Sequence, residues 1–180
     1  TRQLEQCRAA VLVGEADLVD RVDSEVPVVR FGDEHRAWLA RGARATVPAT
    51  PAAAVAGAWI IFTSGSTGTP KGVAVQHRSA AAFVDAEARL FQQADPVGTQ
   101  DRVLAGLSVA FDASCEEMWL AWRHGACLVP APRALVRTGM DLGPWLISHG
   151  ITVVSTVPTL AALWPVESLE SVRLLIFGGE

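Results

Sequence analysis

Ten consecutive residues constrain the fold of this chain more than any others. Residues 63–72 read Thr-Ser-Gly-Ser-Thr-Gly-Thr-Pro-Lys-Gly and directly follow the apolar run 58–62. An apolar run of this length that ends in a glycine-rich segment predicts a strand followed by a loop. Glycines let the backbone bend so that successive N–H groups point at one anion, while hydroxyls and a lysine add donors and charge. This segment, the glycine loop, predicts an anion-binding loop; a flexible Gly/Ser turn between strands is the weaker alternative.

The rest of the chain alternates between strand-like and helix-like segments. Half of the residues are hydrophobic and the mean hydropathy is +0.28, so 180 residues can bury a real core. The alternation predicts an α/β fold with mostly parallel sheets flanked by helices on both faces. Residues 1–49 are expected to form a small α/β segment and connector, with strands near 7–13 and 26–31. Residues 50–180 are expected to form the core of a larger domain.

Charge and cysteine content exclude several function classes. The net charge is −4 and no basic cluster is present, which argues against nucleic-acid binding. Three cysteines far apart in sequence suit free thiols in a reducing cytoplasm. We find no histidine pair at metal-ligand spacing, no signal peptide and no apolar run of membrane-spanning length. The first residue is not methionine and the last strand-like run stops as its loop begins, so we expect a segment of a longer cytoplasmic polypeptide.

The order of residues within the glycine loop resembles one family. Pro70 precedes the lysine and Gly72 follows it, which departs from the commonest phosphate loop, G-x-x-x-x-G-K-[ST]. The loop resembles the phosphate loop of adenylate-forming (AMP-binding) enzymes, which include adenylation domains, acyl-CoA synthetases and luciferases. In that family the loop binds the pyrophosphate end of ATP. The matching positions are Thr63, Ser64, Gly65, Ser66, Thr67, Gly68 and Lys71. The resemblance implies that Thr63 lies beside a magnesium ion and that Lys71 offsets phosphate charge during the reaction.

A second motif narrows the resemblance to amino-acid activation. Phe111-Asp112 matches the Phe-Asp of adenylation domains that select amino acids, in which the aspartate pairs with the substrate's α-ammonium group. Acyl-CoA synthetases, whose substrates lack that ammonium, usually lack the aspartate. The local alternative is that Ser114-x-x-Glu117 forms a capping box and that Asp112 only begins a helix.

The resemblance also places the positions that select the substrate side chain. They fall on Asp112, Ala113, Glu116, Ser155, Ile176 and Gly178, a combination similar to that of lysine-activating domains. Glu116 would then pair with a distal ammonium, because an unpaired carboxylate in a small apolar pocket is costly. The alternative is that Glu116 lies on a solvent-facing helix flank. The turn Gly178, Gly179 and Glu180 matches the family loop that lies along the adenine ring.

The implied reaction is ATP-dependent activation of an amino acid as an aminoacyl-adenylate, with lysine or another basic amino acid as the candidate substrate. In the family, the acyl group then passes to a phosphopantetheine thiol on a carrier domain in the same or a partner chain, as in nonribosomal peptide synthetases. The implied cofactors are ATP and Mg²⁺, and these residues alone are expected to be inactive. Two alternatives remain: an acyl- or aryl-CoA ligase of the same superfamily, or a truncated, non-catalytic nucleotide-binding module.

Overall fold

The structure is a computed structural model that describes residues 2–42, 52–64, 68–91 and 94–178. The chain divides into two compact units, Thr1–His77 and Arg78–Glu180. The predicted boundary at residue 49, between a small α/β segment with its connector and the domain core, stays a prediction.

The first unit contains two short two-stranded sheets. Its elements are α1 (Arg2–Gln6), β1 (Leu12–Glu15), α2 (Ala16–Val19), β2 (Val28–Phe31), α3 (Asp33–Gly42), β3 (Gly57–Thr63) and β4 (Lys71–Gln76). Strands β1 and β2 are parallel, and β3 and β4 form an antiparallel hairpin. The hairpin arrangement follows from the short connection, because parallel neighbours need a crossover of a dozen residues or more.

The second unit is built on a four-stranded parallel sheet with the order β6-β5-β7-β8. Its elements are α4 (His77–Leu90), β5 (Arg102–Ala105), α5 (Ala113–His124), β6 (Cys127–Pro130), α6 (Arg133–Thr138), α7 (Leu142–Ser148), β7 (Val153–Thr156), α8 (Pro158–Ala161), a 3-10 helix (Val166–Leu169) and β8 (Leu174–Phe177). Gly125 ends α5 with a left-handed φ of 71°, which lets its N–H bond the last carbonyls of the helix.

Helices cover both faces of this sheet, because successive strand residues point to opposite sides. On one face Val103 and Val153 pack against Ala121 of α5. The other face packs against α7 and the segment after α8, through Leu104, Val154, Leu142, Leu146 and Trp164. The chain after β5 therefore crosses one face of the sheet, and the chain after β6 crosses the other. This divergence leaves a crevice at the carboxyl ends of β5 and β7.

The predicted fold class is confirmed, and one local prediction is wrong in its position. The strand predicted near 7–13 begins only at Leu12, because Arg8 has a φ of 52° and the N–H of Ala9 bonds the carbonyl of Leu4. A left-handed residue after a helix turns the chain, so an extended strand cannot start there. Within the described residues, no helix combines the length and apolar character needed to cross a bilayer.

Candidate active site

The glycine loop connects the two strands of the hairpin in the first unit. Thr63 ends β3 directly opposite Lys71, which begins β4, and the Thr63 hydroxyl lies 3.5 Å from the Lys71 carbonyl oxygen. Thr63, Ser64, Gly68 and Lys71 are all exposed. Gly68 has a φ of 75°, a left-handed conformation that favours glycine. The predicted residues Gly65, Ser66 and Thr67 lie outside the described residues.

Lys71 is the only lysine among the 180 residues. Among the described residues, no carboxylate lies within ion-pair distance of its ammonium. Gly72 follows it at a crowded position: a Cβ there would come within 3.1 Å of Ile60 Cγ2 and 3.3 Å of Phe62 Cε1. Gly72 therefore leaves the backbone next to the exposed Lys71 ammonium uncovered by any side chain. A backbone N–H group beside a cation is a combination of donors that suits a polyphosphate.

The second unit contains a cavity of about 360 Å³ at the carboxyl edge of its sheet. The residues that line it come from the ends of β5, β7 and β8 and from the start of α5: Leu107, Phe111, Asp112, Ala113, Glu116, Ser155, Thr156, Val157, Ile176, Phe177 and Gly178. All six predicted substrate-binding residues are in this set. Ser155 and Ile176 are buried in its wall, with 7% and 9% of their surfaces exposed, whereas Asp112 and Ala113 are exposed. Gly179 and Glu180, predicted at the adenine ring, lie outside the described residues.

The start of α5 does not contain the capping box that the local sequence allows. Asp112 occupies the N-cap position but its side chain makes no capping hydrogen bond. The hydroxyl of Ser114 donates to the carbonyl oxygen of Phe111 at 2.7 Å, and the carboxylate of Glu117 bonds elsewhere. The Asp112 carboxylate is therefore free of a helix-capping role and borders the cavity.

Glu117 instead connects α5 to the loop that follows β5. Its Oε1 accepts a hydrogen bond from the Gly106 N–H at 3.0 Å, and its Oε2 accepts one from the Leu107 N–H at 3.1 Å. Glu117 has only 1% of its surface exposed, and burial raises its pKa to about 7 against the opposing effect of these two bonds. The two bonds fix the position of Leu107, which lines the cavity.

Glu116 is partly buried and lines the cavity. It lies beside Glu87 of α4, a buried glutamate with 6% of its surface exposed. Burial, followed by the hydrogen bond and charge of Glu116, raises the pKa of Glu87 to about 8. Cys115, which precedes Glu116 in the chain, is buried as well. Its thiol pKa is raised mainly by burial and then by the charge of Asp112.

The opposite edge of the sheet is held by a separate ionic cluster. Arg173 donates from Nε and Nη2 to the buried carboxylate of Asp101, at 2.7 and 2.6 Å, and the hydroxyl of Thr152 adds a bond of 2.7 Å. Hydrogen bonding to Arg173 lowers the pKa of Asp101 to about 2. These residues lie next to the first residues of β5, β7 and β8, so the cluster ties the amino ends of the strands together.

The sequence did not single out Glu87, Thr156 or the role of Glu117. Thr156 has 3% of its surface exposed, and its hydroxyl has no hydrogen-bond partner within the described part of the chain, although the residue lines the cavity. No local pattern marks these residues, because each acquires its surroundings from elements distant in sequence. In the described ranges, no three His, Cys, Asp or Glu side chains gather as a metal site, so the predicted magnesium contact rests on Thr63.

Comparison with known proteins identifies relatives over the whole chain. The family model described as AMP-binding enzyme matches residues 1–180. The chain is 42% identical over 123 residues to delta-poly-L-ornithine synthetase from Acinetobacter baumannii, covering 68% of this chain and 9% of that protein. It is 34% identical over 179 residues to phosphinothricin tripeptide synthetase PhsC from Streptomyces viridochromogenes, covering 98% of this chain and 16% of that protein.

A solved structure extends the similarity to three dimensions. The AMPPNP-bound form of the nonribosomal peptide synthetase FmoA3 superposes with a TM-score of 0.80 at 27% identity, over 99% of this chain and 19% of that one. The chain thus spans a small part of the proteins it matches. From the family match, the relatives and the shared fold, the chain belongs to the AMP-binding enzyme family and, within it, to the adenylation domains of nonribosomal peptide synthetases.

Proposed function

We propose that the protein activates an amino acid with a cationic side chain by forming its aminoacyl-adenylate from ATP. One observation carries the proposal: two carboxylates, Asp112 and Glu116, line the same cavity of about 360 Å³. Asp112 is the N-cap residue of α5 and Glu116 follows four positions later, so the two side chains project from one side of the helix. The wall around them is formed largely by apolar side chains and backbone, including Phe111, Ile176 and Gly178.

The two carboxylates match the two ammonium groups of a diamino acid. Asp112, at the first turn of α5, would bind the α-ammonium, and Glu116, one turn further along, would bind the distal one. A carboxylate in a cavity with apolar walls gains most from a ligand that brings the opposite charge. A neutral side chain would leave Glu116 desolvated and unpaired, so the cavity disfavours such substrates.

The substrate carboxylate remains as the nucleophile. It is ionised at neutral pH and needs no general base to attack the α-phosphate of ATP. Catalysis then depends on holding the two reactants in place and on stabilising negative charge. ATP supplies the adenylyl group and the pyrophosphate that leaves.

The glycine loop supplies the groups that would hold the triphosphate. Lys71 would offset charge on the β- and γ-phosphates, and Thr63 would lie beside Mg²⁺. Ser64, Gly68 and residues 65–67 of the loop would add hydroxyl and N–H donors. The relative FmoA3 has been solved with AMPPNP, a nucleotide of the same shape as ATP, which supports nucleotide binding by this family.

The relatives also support the substrate class. One of them is named for poly-L-ornithine synthesis, and ornithine is a diamino acid. Within this proposal, lysine and ornithine are the first substrates to test. The activated acyl group would then pass to a phosphopantetheine thiol on a carrier domain.

The proposal is tested by amino-acid-dependent exchange of pyrophosphate into ATP, using the full-length protein. Lysine and ornithine should stimulate exchange, whereas norleucine, glutamate and hexanoate should stimulate it weakly or not at all. Stimulation by hexanoate above that by lysine would assign the protein to acyl activation instead. Absence of exchange with every carboxylate, in a protein that still binds ATP, would indicate a non-catalytic module.

A further inference from the structure

One buried hydroxyl at the cavity has no part in the function proposed above. Thr156, the last residue of β7, lines the cavity, and only 3% of its surface is exposed. Within the described part of the chain, its Oγ1 has no hydrogen-bond partner. A buried hydroxyl without a partner is costly, and such groups in native proteins nearly always have one. The Thr156 hydroxyl is therefore a candidate to bind a group of the substrate.

Chain direction places Thr156 towards the mouth of the cavity. Strands β5 and β6 are parallel, so the helix α5 that connects them runs back against the strand direction. Asp112, at the start of α5, therefore lies nearer the carboxyl edge of the sheet, and Glu116 lies one turn deeper. On β7, which is parallel to β5, Thr156 follows Ser155 and so lies nearer that edge. Asp112 and Thr156 thus both lie towards the mouth of the cavity.

The cavity extends around the ends of two strands. Successive strand residues point to opposite faces, so Ser155 points to the face that α5 covers and Thr156 to the other face. Ile176 pairs with Ser155 and Phe177 pairs with Thr156 across β7 and β8. All four residues line the cavity. A ligand that reaches from the α5 face across the strand ends therefore meets Thr156.

The cavity wall contains few side chains that can donate a hydrogen bond. Among the described lining residues, only Ser155 and Thr156 carry a side-chain donor, because the others are apolar residues, glycine or the carboxylates of Asp112 and Glu116. Ser155 lies deeper in the cavity, on the face of the sheet that α5 covers. Thr156 is therefore the side-chain donor nearest the mouth.

The chemistry of an amino acid indicates which group this donor binds. In the proposed function, Asp112 and Glu116 bind the two ammonium groups of a diamino acid. The α-carboxylate is then the remaining charged group, and a single carbon atom joins it to the α-ammonium. It must therefore lie close to Asp112, towards the mouth of the cavity. Carboxylate oxygens accept hydrogen bonds, and the Thr156 hydroxyl can donate one.

We propose that Thr156 is a substrate-binding residue whose hydroxyl donates a hydrogen bond to the α-carboxylate of the amino acid. The inference rests on the proposed function, since it takes the α-ammonium at Asp112 as given. One carboxylate oxygen is held at the end of β7, and the other stays free to attack the α-phosphate of ATP. Thr156 thus orients the nucleophile without changing its ionisation, and no covalent bond changes in this contact.

An unpaired hydroxyl predicts opposite effects of one substitution on stability and on binding. Thr156→Val keeps the shape of the side chain but removes the hydroxyl. If that hydroxyl bonded another part of the protein, the substitution would lower the melting temperature of the ligand-free protein. If its partner is the substrate, the substitution removes an unpaired polar group, so the melting temperature stays the same or rises while affinity falls. Thr156→Ser keeps the hydroxyl and should keep most of the affinity.

The experiment is calorimetric titration of the full-length protein and both variants with lysine, norleucine and cadaverine. Cadaverine is lysine without its carboxylate and keeps both ammonium groups. We expect Thr156→Val to raise the Kd of lysine about tenfold to a hundredfold, the range for a hydrogen bond to a charged group, and to change that of cadaverine less than about twofold. Thermal unfolding of the ligand-free proteins is measured on the same samples.

A loss of affinity confined to ligands with a carboxylate, in a Thr156→Val protein that melts no lower than the unmodified one, supports the inference. Unchanged lysine affinity in Thr156→Val overturns it, as does an equal loss for cadaverine or an equal loss in Thr156→Ser. A lower melting temperature, or failure of Thr156→Val to fold, also overturns it, because the hydroxyl then has a partner within the protein.

The same titrations separate failure of the inference from failure of the proposed function. If the unmodified protein prefers lysine to norleucine, the proposed function stands whatever the variants show. Equal binding of lysine and norleucine by the unmodified protein overturns the proposed selection by side-chain charge. Norleucine also has the α-carboxylate, so its own loss of affinity in Thr156→Val, or the absence of that loss, then decides the inference.

Discussion

Glu117 bonds both backbone N–H groups of Gly106 and Leu107, at 3.0 and 3.1 Å, and so joins the buried side of α5 to the loop after β5. The same helix presents Asp112 and Glu116 to the cavity, which Leu107 also lines. One buried carboxylate therefore fixes the distance between the two sides of the candidate substrate site.

Replacing Glu117 with alanine should loosen this loop. The amides of Gly106 and Leu107 lose their acceptors, and each unsatisfied buried donor costs about 1–3 kcal/mol. We expect faster hydrogen exchange in the peptide that contains residues 106 and 107, measured by mass spectrometry on the full-length protein. Glu170→Ala is the control, because Glu170 is exposed at the surface of the second unit. Unchanged exchange in Glu117→Ala would contradict the proposed role of Glu117.

Ionisation of Glu117 should make the free energy of unfolding depend on pH. Its folded-state pKa of about 7 lies above its ordinary value of 4.5, so the folded protein binds more protons between these pH values than the unfolded chain. The contribution of Glu117 to the free energy of unfolding is therefore favourable below about pH 4.5 and falls as pH rises towards 7. In thermal unfolding from pH 4.5 to 8, Glu117→Gln should lose less stability with rising pH than the unmodified protein. A larger loss in the variant would mean that the sign is wrong.

Asp101 should behave in the opposite way. Its pKa is lowered to about 2 by Arg173, so its stabilising contribution is complete above about pH 4 and is lost as pH falls through 2. Asp101→Asn removes charge-assisted bonds worth about 1.5–3 kcal/mol and should lower the melting temperature at pH 7. Substrate preference should not change, because the cluster lies at the other edge of the sheet. A changed lysine-to-norleucine ratio in Asp101→Asn would contradict this separation of stability from selection.

Asp112→Asn should strongly reduce activation of amino acids without unfolding the protein. Removing one partner of a desolvated charge pair costs about 2–5 kcal/mol, which is at least about thirtyfold in kcat/KM for pyrophosphate exchange. Asp141→Asn is a matched control: Asp141 is also an N-cap residue whose side chain makes no capping hydrogen bond, at the start of α7. If Asp112→Asn and Asp141→Asn each lose less than about 1 kcal/mol of transition-state stabilisation, Asp112 is only a helix-start residue.

Lys71→Ala should reduce pyrophosphate exchange by on the order of a hundredfold, because a positioned cation stabilises the charge that develops on the phosphates. Lys71→Arg should retain part of the rate, because arginine keeps the positive charge but presents it as a planar group of different shape. Arg133→Ala, an exposed cation at the start of α6, serves as the control and should have no effect. If Lys71→Ala keeps the nucleotide affinity and the exchange rate of the unmodified protein, the glycine loop takes no part in the reaction.

The sequence predicted those features that are encoded locally. The apolar run before the glycine loop and the alternation of apolar segments indicated the strands and the parallel sheet. The motif Phe111-Asp112 indicated a substrate residue, and Asp112 does border the cavity.

Long-range contacts could not be predicted in this way. Glu87 lies on a different helix from Glu116, and nothing in its surrounding sequence indicates that its carboxyl is buried against another. Glu117 fitted a capping box by spacing alone, yet burial and two loop amides determine its partner. The antiparallel pairing of β3 and β4 depends on the short connection between them, which alternation of strands and helices does not reveal.

The central claim is that a carboxylate in the cavity selects substrates by the charge of their side chain. Its most direct test is the ratio of kcat/KM for lysine to that for norleucine, in the full-length protein and in Glu116→Gln. We expect the unmodified protein to prefer lysine by at least about thirtyfold, the equivalent of about 2 kcal/mol, and the variant to lose most of that preference. An equal ratio in the two proteins would contradict the account.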